Sequence, residues 1–335
     1  MTALSLKQAR KLARQTLGKW ASGVDTVEEE RLRERETQAR SALDAARSVT
    51  LNQVFDRYIE NRNLTEKTLL DYRRIMVTDL VDWCDLPVVN ITRNLVEEKH
   101  RKITERAPAL ANLVSRLLRS LMNYAIETLE DGQGSALIVD NPVRRLRAVK
   151  AWNPVKRRET YIHAEQLAAW FQAVLHLPNA IHKHYLLFTL LMGCRKTESA
   201  ELRWADVDLQ AHCVTFRDTK NHDDVTLPIA DYVADFLASI KDQATTEYVF
   251  PGEHGGALVD CRKSMMKVTA ESKVSFTLHD LRRTYATTAE FLDLGTYTLK
   301  LLLNHRTGRS DVTGGYVARD LQRLRQVQQR ITDEL

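Results

Sequence analysis

Apolar residues are spaced unevenly along the chain, and their pattern changes near Thr50. From there Leu51, Val54, Phe55, Tyr58 and Ile59 fall three and four residues apart, which places them on one stripe of a helix. Thr50 with Gln53 at the third helical position forms a capping box that fixes where this helix starts. A second helix opens at Thr65. A long third one runs from about Pro108 to about Thr128, because proline suits a first helical turn and Gly132 follows the end. Asn141-Pro142-Val143 closes the helical unit. Further on, residues 185–192 are apolar at nearly every position, as expected of a helix end buried on all sides. Val214-Thr215-Phe216 and Val225-Thr226-Leu227 instead alternate with period two, as half-buried strands do, and polar residues 219–224 supply the turn between them.

The two ends read differently. Residues 4–20 form an amphipathic helix with Leu6, Ala9, Leu12, Ala13 and Leu17 on one side and Lys7, Arg10, Lys11, Arg14 and Lys19 among its polar positions. Gly23 ends it, and Thr26 with Glu29 caps a charged helix to about Arg47 whose sparse apolar positions mark an exposed connector. At the other end Leu321, Leu324, Val327 and Ile331 draw one narrow apolar face along a helix within residues 317–331, and such a face must dock.

Composition sharpens this outline. A chain of 335 residues with 44% hydrophobic content can build two cores or a little more, and a net charge of +5 permits nucleic acid without requiring it. Clustering says more than the total. Arg144, Arg145, Arg147, Lys150, Lys156, Arg157 and Arg158 crowd one stretch that also holds Pro142 and Pro154, which reads as an extended interdomain linker lying along phosphates. The boundaries that follow are an amino-terminal helical segment at 1–48, a helical domain at 49–147, a basic linker at 148–158 and a second domain at 159–335. Cys84, Cys194, Cys213 and Cys261 show no paired metal spacing and imply reduced thiols in a cytoplasmic protein. The sequence has neither a signal peptide nor a membrane-length apolar run.

Candidate chemistry gathers in the second domain. In His279-Asp280-Leu281-Arg282-Arg283 a His and an Arg three apart share one helix face. Downstream come His305, after Leu303-Asn304, and Tyr316, after Gly314-Gly315; together these can hold a phosphate while a phenol attacks it. Upstream, Gly193-Cys194-Arg195-Lys196-Thr197-Glu198 leads into Leu202-Arg203-Trp204-Ala205-Asp206-Val207. Arg195 follows the buried run, where an unpaired guanidinium is costly, so it needs Glu198 or a ligand. Lys220 lies at the hairpin tip, with Lys196 as its rival.

Taken in order, these residues resemble the tyrosine recombinases, the phage-type integrases, whose pattern is G-x-R-x-x-E, L-x-W-x-D-[IV], H-x-x-R, L-G-H and a nucleophilic Tyr. The resemblance covers roughly Thr50 to the end. Asn304 stands where the family usually has Gly, a change of helix-cap chemistry. The resemblance implies a mainly α fold with a small antiparallel sheet in the catalytic domain, arranged as a two-domain DNA clamp. It implies Tyr316 as nucleophile, Arg195, Arg282 and His305 as stabilisers of the phosphorane, His279 as base, Lys220 as general acid, and Glu198 and Asp280 as orienting residues. Paired glycines before Tyr316 would allow its segment to be held away until assembly.

The helical first domain then resembles a core-binding domain, with Thr65, Lys67, Thr68, Tyr72, Asn112, Arg116 and Arg119 facing DNA alongside Arg144, Arg145, Arg147, Lys156, Arg157 and Arg158. Implied partners are double-stranded core-site DNA, three further copies in a tetramer, and DNA-bending or directionality factors. Neither metal nor other cofactor is implied. In the family the last helix often packs on a neighbouring protomer. Residues 4–31 resemble the closing helix and exit of an arm-binding domain, and with three residues before Leu4 the chain is expected to read core-type rather than arm-type sites. Three other readings fit less of the pattern: a type IB topoisomerase, a metal-dependent nuclease around Asp218, His222, Asp223 and Asp224, and a non-catalytic DNA-binding regulator.

Overall fold

The computed structural model describes residues 5–21, 26–131, 134–156, 158–218, 223–304 and 320–335, and the chain divides into two compact units, Met1–Arg157 and Arg158–Leu335. Unit 1 is helical: α1 (Leu6–Ala21), α2 (Thr26–Arg47), α3 (Leu51–Glu60), α4 (Glu66–Thr78), α5 (Arg93–Arg106), α6 (Pro108–Thr128) and α7 (Arg144–Ala148). The capping box is in place, with Gln53 N donating to Thr50 Oγ1 and Thr50 N to Gln53 Oε1. Thr65 caps α4 by accepting from Thr68 N, and Pro108 occupies the first turn of α6. One face of α6, from Ala111 through Leu118 to Ala125, is buried against α3 and α5 and forms the spine of this core. By contrast α1 leaves Leu6, Leu12, Leu17 and Trp20 exposed.

The first part of the basic stretch is a short helix, Arg144–Ala148, and not extended chain. Val143 and Leu146 are fully buried, so they pull residues 143–148 onto the core as a short helix with its arginines outward. Arg144 pairs with Asp140 and Arg145 with Glu97. Asn141 anchors the entry to α7: its amide donates to the Arg119 carbonyl and to Asn123, and its Oδ1 accepts from Val143 N.

Unit 2 wraps helices around one small sheet: α8 (Ala164–Leu175), α9 (Ala180–Met192), α10 (Lys196–Ala200), β1 (Val207–Asp208), β2 (Cys213–Phe216), β3 (Val225–Pro228), α11 (Asp231–Lys241), α12 (Arg262–Ser272), α13 (Leu278–Phe291), α14 (Thr296–Leu302) and α15 (Leu321–Glu334). The strands are antiparallel in the order β1-β2-β3, with Val214 opposite Leu227 and Phe216 opposite Val225. Alternation decides the faces: these four side chains enter the core, while Thr215 and Thr226 share a hydroxyl hydrogen bond on the other side. Residues 185–192 of α9 are buried without exception, around Trp170, Phe188 and Phe250.

The carboxyl-terminal helix packs on its own unit. Leu324 and Ile331 join Tyr285, Ala289, Leu302 and Leu303 in a separate apolar cluster, and α15 touches β3, α9, α13 and α14. Gln328 pins it, accepting from Tyr285 Oη at 2.6 Å and donating to the Leu191 carbonyl at 2.6 Å. Among the described residues no helix is long and apolar enough to cross a membrane.

Candidate active site

Two arginines from distant parts of unit 2 meet at one place. Arg195 is the cap residue of α10, just past the end of α9, and that end is shaped by Gly193 in the left-handed region at φ +56°. A β-carbon at Gly193 would lie 2.4 Å from the Tyr285 ring, so both backbone angle and space require glycine. The chain turns there and presents the Gly193 carbonyl to Arg282, whose Nη1 donates to it at 2.8 Å. Arg282 Nη2 donates to the Leu303 carbonyl at 2.6 Å, and Arg195 Nη2 to the next carbonyl, Asn304, at 3.3 Å. Both guanidiniums are thereby fixed to the end of α14, directly before His305.

Asn304 itself has φ +47°, so it holds the left-handed position that ends a helix. Asparagine tolerates this conformation second only to glycine, which explains how it can stand in the family's glycine position.

The charges do not balance. Glu198 serves Arg195 twice, accepting from its backbone N–H at 2.8 Å and from Nη1 at 2.5 Å. Arg282, only 6% exposed, has carbonyl partners and no carboxylate among the described residues. Burial lowers its pKa, and the neighbouring Arg195 charge lowers it further. Two neighbouring guanidiniums, of which only Arg195 has a carboxylate partner among the described residues, can take an anion, and the planar forks suit phosphate oxygens.

Helix α13 delivers the other groups. Thr277 caps it in a box with Asp280, whose Oδ2 accepts from Thr277 N and Oγ1 at 2.9 and 2.7 Å; Oδ1 accepts from Thr160 Oγ1 at 2.9 Å. Asp280 is buried, and its contacts are with the cap and Thr160, so it orients the helix that carries His279 and Arg282. His279 is on the exposed side of the first turn. Lys220, His305 and Tyr316 lie outside the described residues. Tyr285, a rival nucleophile by sequence position, is fully buried with its hydroxyl donated to Gln328, and burial pushes its pKa upward. Cys194, beside Arg195, is an inert thiol: burial pushes it up to about 12. Of the acids considered for a metal, Asp224 accepts from Arg217 Nη1 at 2.7 Å and from Asp218 N at 3.0 Å.

The candidates for DNA contact divide. Lys67, Arg116 and Arg119 are exposed, as are Arg147, Lys156 and Arg158; Arg157 lies outside the described residues. Thr65 and Thr68 share a hydroxyl hydrogen bond at the α4 cap, and Tyr72 is half-buried against the core, which raises its pKa. Asn112 is a correction: it is buried at 4% exposure, and its amide is paired with Asn153. It lies with Ala111 and Ser115 on the core face of α6. The sequence reading also missed the carbonyls of Gly193 and Leu303, which no side-chain pattern marks, and Thr160, a lone threonine.

Residues 160–318 match the model of the phage integrase family. Prophage integrase IntF of Escherichia coli (strain K12) is 26% identical over 237 residues, which are 68% of this chain and 50% of that protein. The matched stretch thus spans about half the length of that relative. Among solved structures, a lambda integrase tetramer bound to a Holliday junction is similar with a TM-score of 0.64 and 22% identity, covering 81% of each chain. The Tn1549 transposon integrase in complex with a circular intermediate DNA is similar with a TM-score of 0.66 and 14% identity, covering 78% of this chain and 93% of that one.

Proposed function

The chain belongs to the phage integrase family, and from that premise we propose that it is a site-specific DNA recombinase that cuts and rejoins strands through a 3′-phosphotyrosyl intermediate. The observation that carries this reading is the pair Arg195 and Arg282, both held to the carbonyls at the end of α14, with Glu198 paired to Arg195 alone. Attack on a phosphodiester places charge on the non-bridging oxygens, and two fixed forks with His305 as a further donor stabilise it. Tyr316 is the nucleophile. Its phenol has an ordinary pKa near ~10, so it needs a base or a cationic setting, and His279 at the start of α13 is the base. Lys220 protonates the leaving 5′-oxygen. The phosphoester to Tyr316 conserves the bond, so attack by another strand's 5′-hydroxyl reseals the DNA without ATP.

The substrate is double-stranded core-site DNA bound by both units, with four copies on the exchanging duplexes, in likeness to the lambda integrase tetramer bound to a Holliday junction. The exposed Lys67, Arg116, Arg119, Arg147, Lys156 and Arg158 are the phosphate contacts proposed for this chain, with Arg144 and Arg145 available if their carboxylates are displaced. Glu198 and Asp280 act through the groups they hold.

Incubation with nicked core-site DNA followed by a denaturing gel tests the reading. The wild-type chain should give a covalent adduct, and Tyr316→Phe should give none while binding DNA almost as well, since one hydroxyl adds little to phosphate-dominated affinity. An adduct that persists in Tyr316→Phe would refute the assignment.

A further inference from the structure

Asn112 is buried in unit 1, yet its amide has a defined task. Its Oδ1 accepts from Asn153 N at 3.1 Å, and its Nδ2 donates to the Asn153 carbonyl at 2.9 Å, so one side chain pairs with both backbone groups of one residue. His100 Nε2 lies 3.2 Å from the same Oδ1; because an amide oxygen, fixed here by the Asn153 N–H, can only accept, that histidine nitrogen is assigned the proton. Asn153 is held again by its own side chain, which donates to Thr104 Oγ1 at 2.8 Å and to the Pro108 carbonyl at 3.1 Å. Just before it, Ala151 N donates to the Leu146 carbonyl, and the Trp152 ring meets His100 edge-on at 6.0 Å.

Beyond Asn153 the character changes at once. Residues 154–156, 158 and 159 are exposed. Unit 2 takes up the chain at Thr160, through Asp280, and at Ile162, whose N–H donates to Thr284 Oγ1 at 2.8 Å. A buried amide is costly unless fully paired, and these pairs are all spent on fixing one point of the chain.

We infer that Asn112 is a positioning residue that clips the chain at Asn153, so that the chain runs free only from Pro154 onward and not from residue 148. For its consequence on DNA the inference rests on the recombinase reading, in which both units hold one duplex. Releasing the clip back to the end of α7 roughly doubles the free span. The effective concentration of one unit at its site, once the other is bound, then falls by about threefold, following the −3/2 power of linker length.

Limited trypsin digestion of the full chain, followed by mass spectrometry, reads the clip directly. In the wild type, cuts after Lys156 or Arg158 should precede any cut after Arg147 or Lys150 by about tenfold in rate, because only the former lie in freely opening chain. Asn112→Leu keeps the volume and removes the pairing. It should bring the Lys150 cut to within about twofold of the others, while sites in α5 and α6 stay protected as a check that unit 1 is folded. Asn153→Ala, which keeps the backbone pair and loses only the bonds to Thr104 and Pro108, should give an intermediate rate and serves if Asn112→Leu does not fold. A wild-type chain cut at Lys150 as fast as at Lys156, or variants as resistant there as the wild type, overturns the clip.

In a gel shift with core-site duplex, Asn112→Leu should raise Kd about threefold. A short Gly/Ser insertion between Val155 and Lys156 of the wild type should reproduce that rise. A freed chain with unchanged Kd overturns the tethering role. Failure of the wild type to bind or cut DNA at all would instead refute the recombinase reading and leave the proteolysis result standing.

Discussion

Arg144 and Arg145 in unit 1 and Arg195 and Arg282 in unit 2 are the same residue type put to opposite use. The first two are exposed on α7; Arg144 shares Asp140 with Arg93, and Arg145 pairs with Glu97. The second two are partly or wholly buried and converge on the turn at Gly193 and the end of α14; Glu198 pairs with Arg195, while Arg282 is held by backbone carbonyls. A basic cluster in sequence therefore says little about where an anion binds. What matters is how far water is kept from the charges. Solvent screens the first pair, whereas burial concentrates the field of the second.

Substitutions can break this comparison, and the largest effect belongs to the buried pair. Arg282→Lys keeps the charge but cannot donate to Gly193 and Leu303 while also offering a fork to phosphate, and Arg195→Ala removes the other donor. Each should slow adduct formation by about 10²–10³-fold in single-turnover assays, the cost of losing one oxyanion donor. A loss under about fivefold for either would place the phosphate elsewhere.

Lys220→Ala should slow cleavage by about 10²-fold, within the range for a lost general acid, and a substrate with sulfur at the bridging 5′ position should restore most of the rate, because a thiolate leaves without a proton. Arg195→Ala should show no such selective rescue. This sharpens the contrast between groups that stabilise charge and the one that supplies a proton; rescue of both alike would erase it.

Gly193→Ala tests the scaffold under the pair. The left-handed angle and the 2.4 Å approach to the Tyr285 ring should cost about 2 kcal/mol or more in urea unfolding, with cleavage reduced in step. Asn304→Gly, at the other left-handed position, should change stability by less than about 0.5 kcal/mol, since glycine accepts that angle freely.

The smallest effect is expected at the exposed pair. Arg144→Ala with Arg145→Ala should leave cleavage at saturating DNA unchanged. Each arginine that meets a phosphate on binding should lower the salt dependence of affinity by about one unit of slope. An unchanged slope would mean that Asp140 and Glu97 keep these side chains to themselves.

Much of the fold could be read from near neighbours in sequence. The Thr50–Gln53 box, the start of α6 at Pro108, the alternation of β2 and β3, and the Asn304 cap all depend on residues within a few positions of one another, where helix and strand geometry dictate the contact. The order of Arg195, Lys220, His279, Arg282, His305 and Tyr316 was likewise readable, because it is a property of sequence. Tertiary structure alone decided the partners. Asn112 looked like a surface polar residue until the phase of α6 buried it, and Arg145 looked free until α5 brought Glu97 to it. The carboxyl-terminal helix displayed its apolar face in sequence, but only packing showed that Tyr285 and Leu191 of the same unit receive Gln328. The carbonyls that hold Arg282 come from residues 89 and 21 positions away in the chain. A guanidinium or an amide takes whatever acceptor the packed backbone brings within 3 Å, and no local pattern encodes that distance.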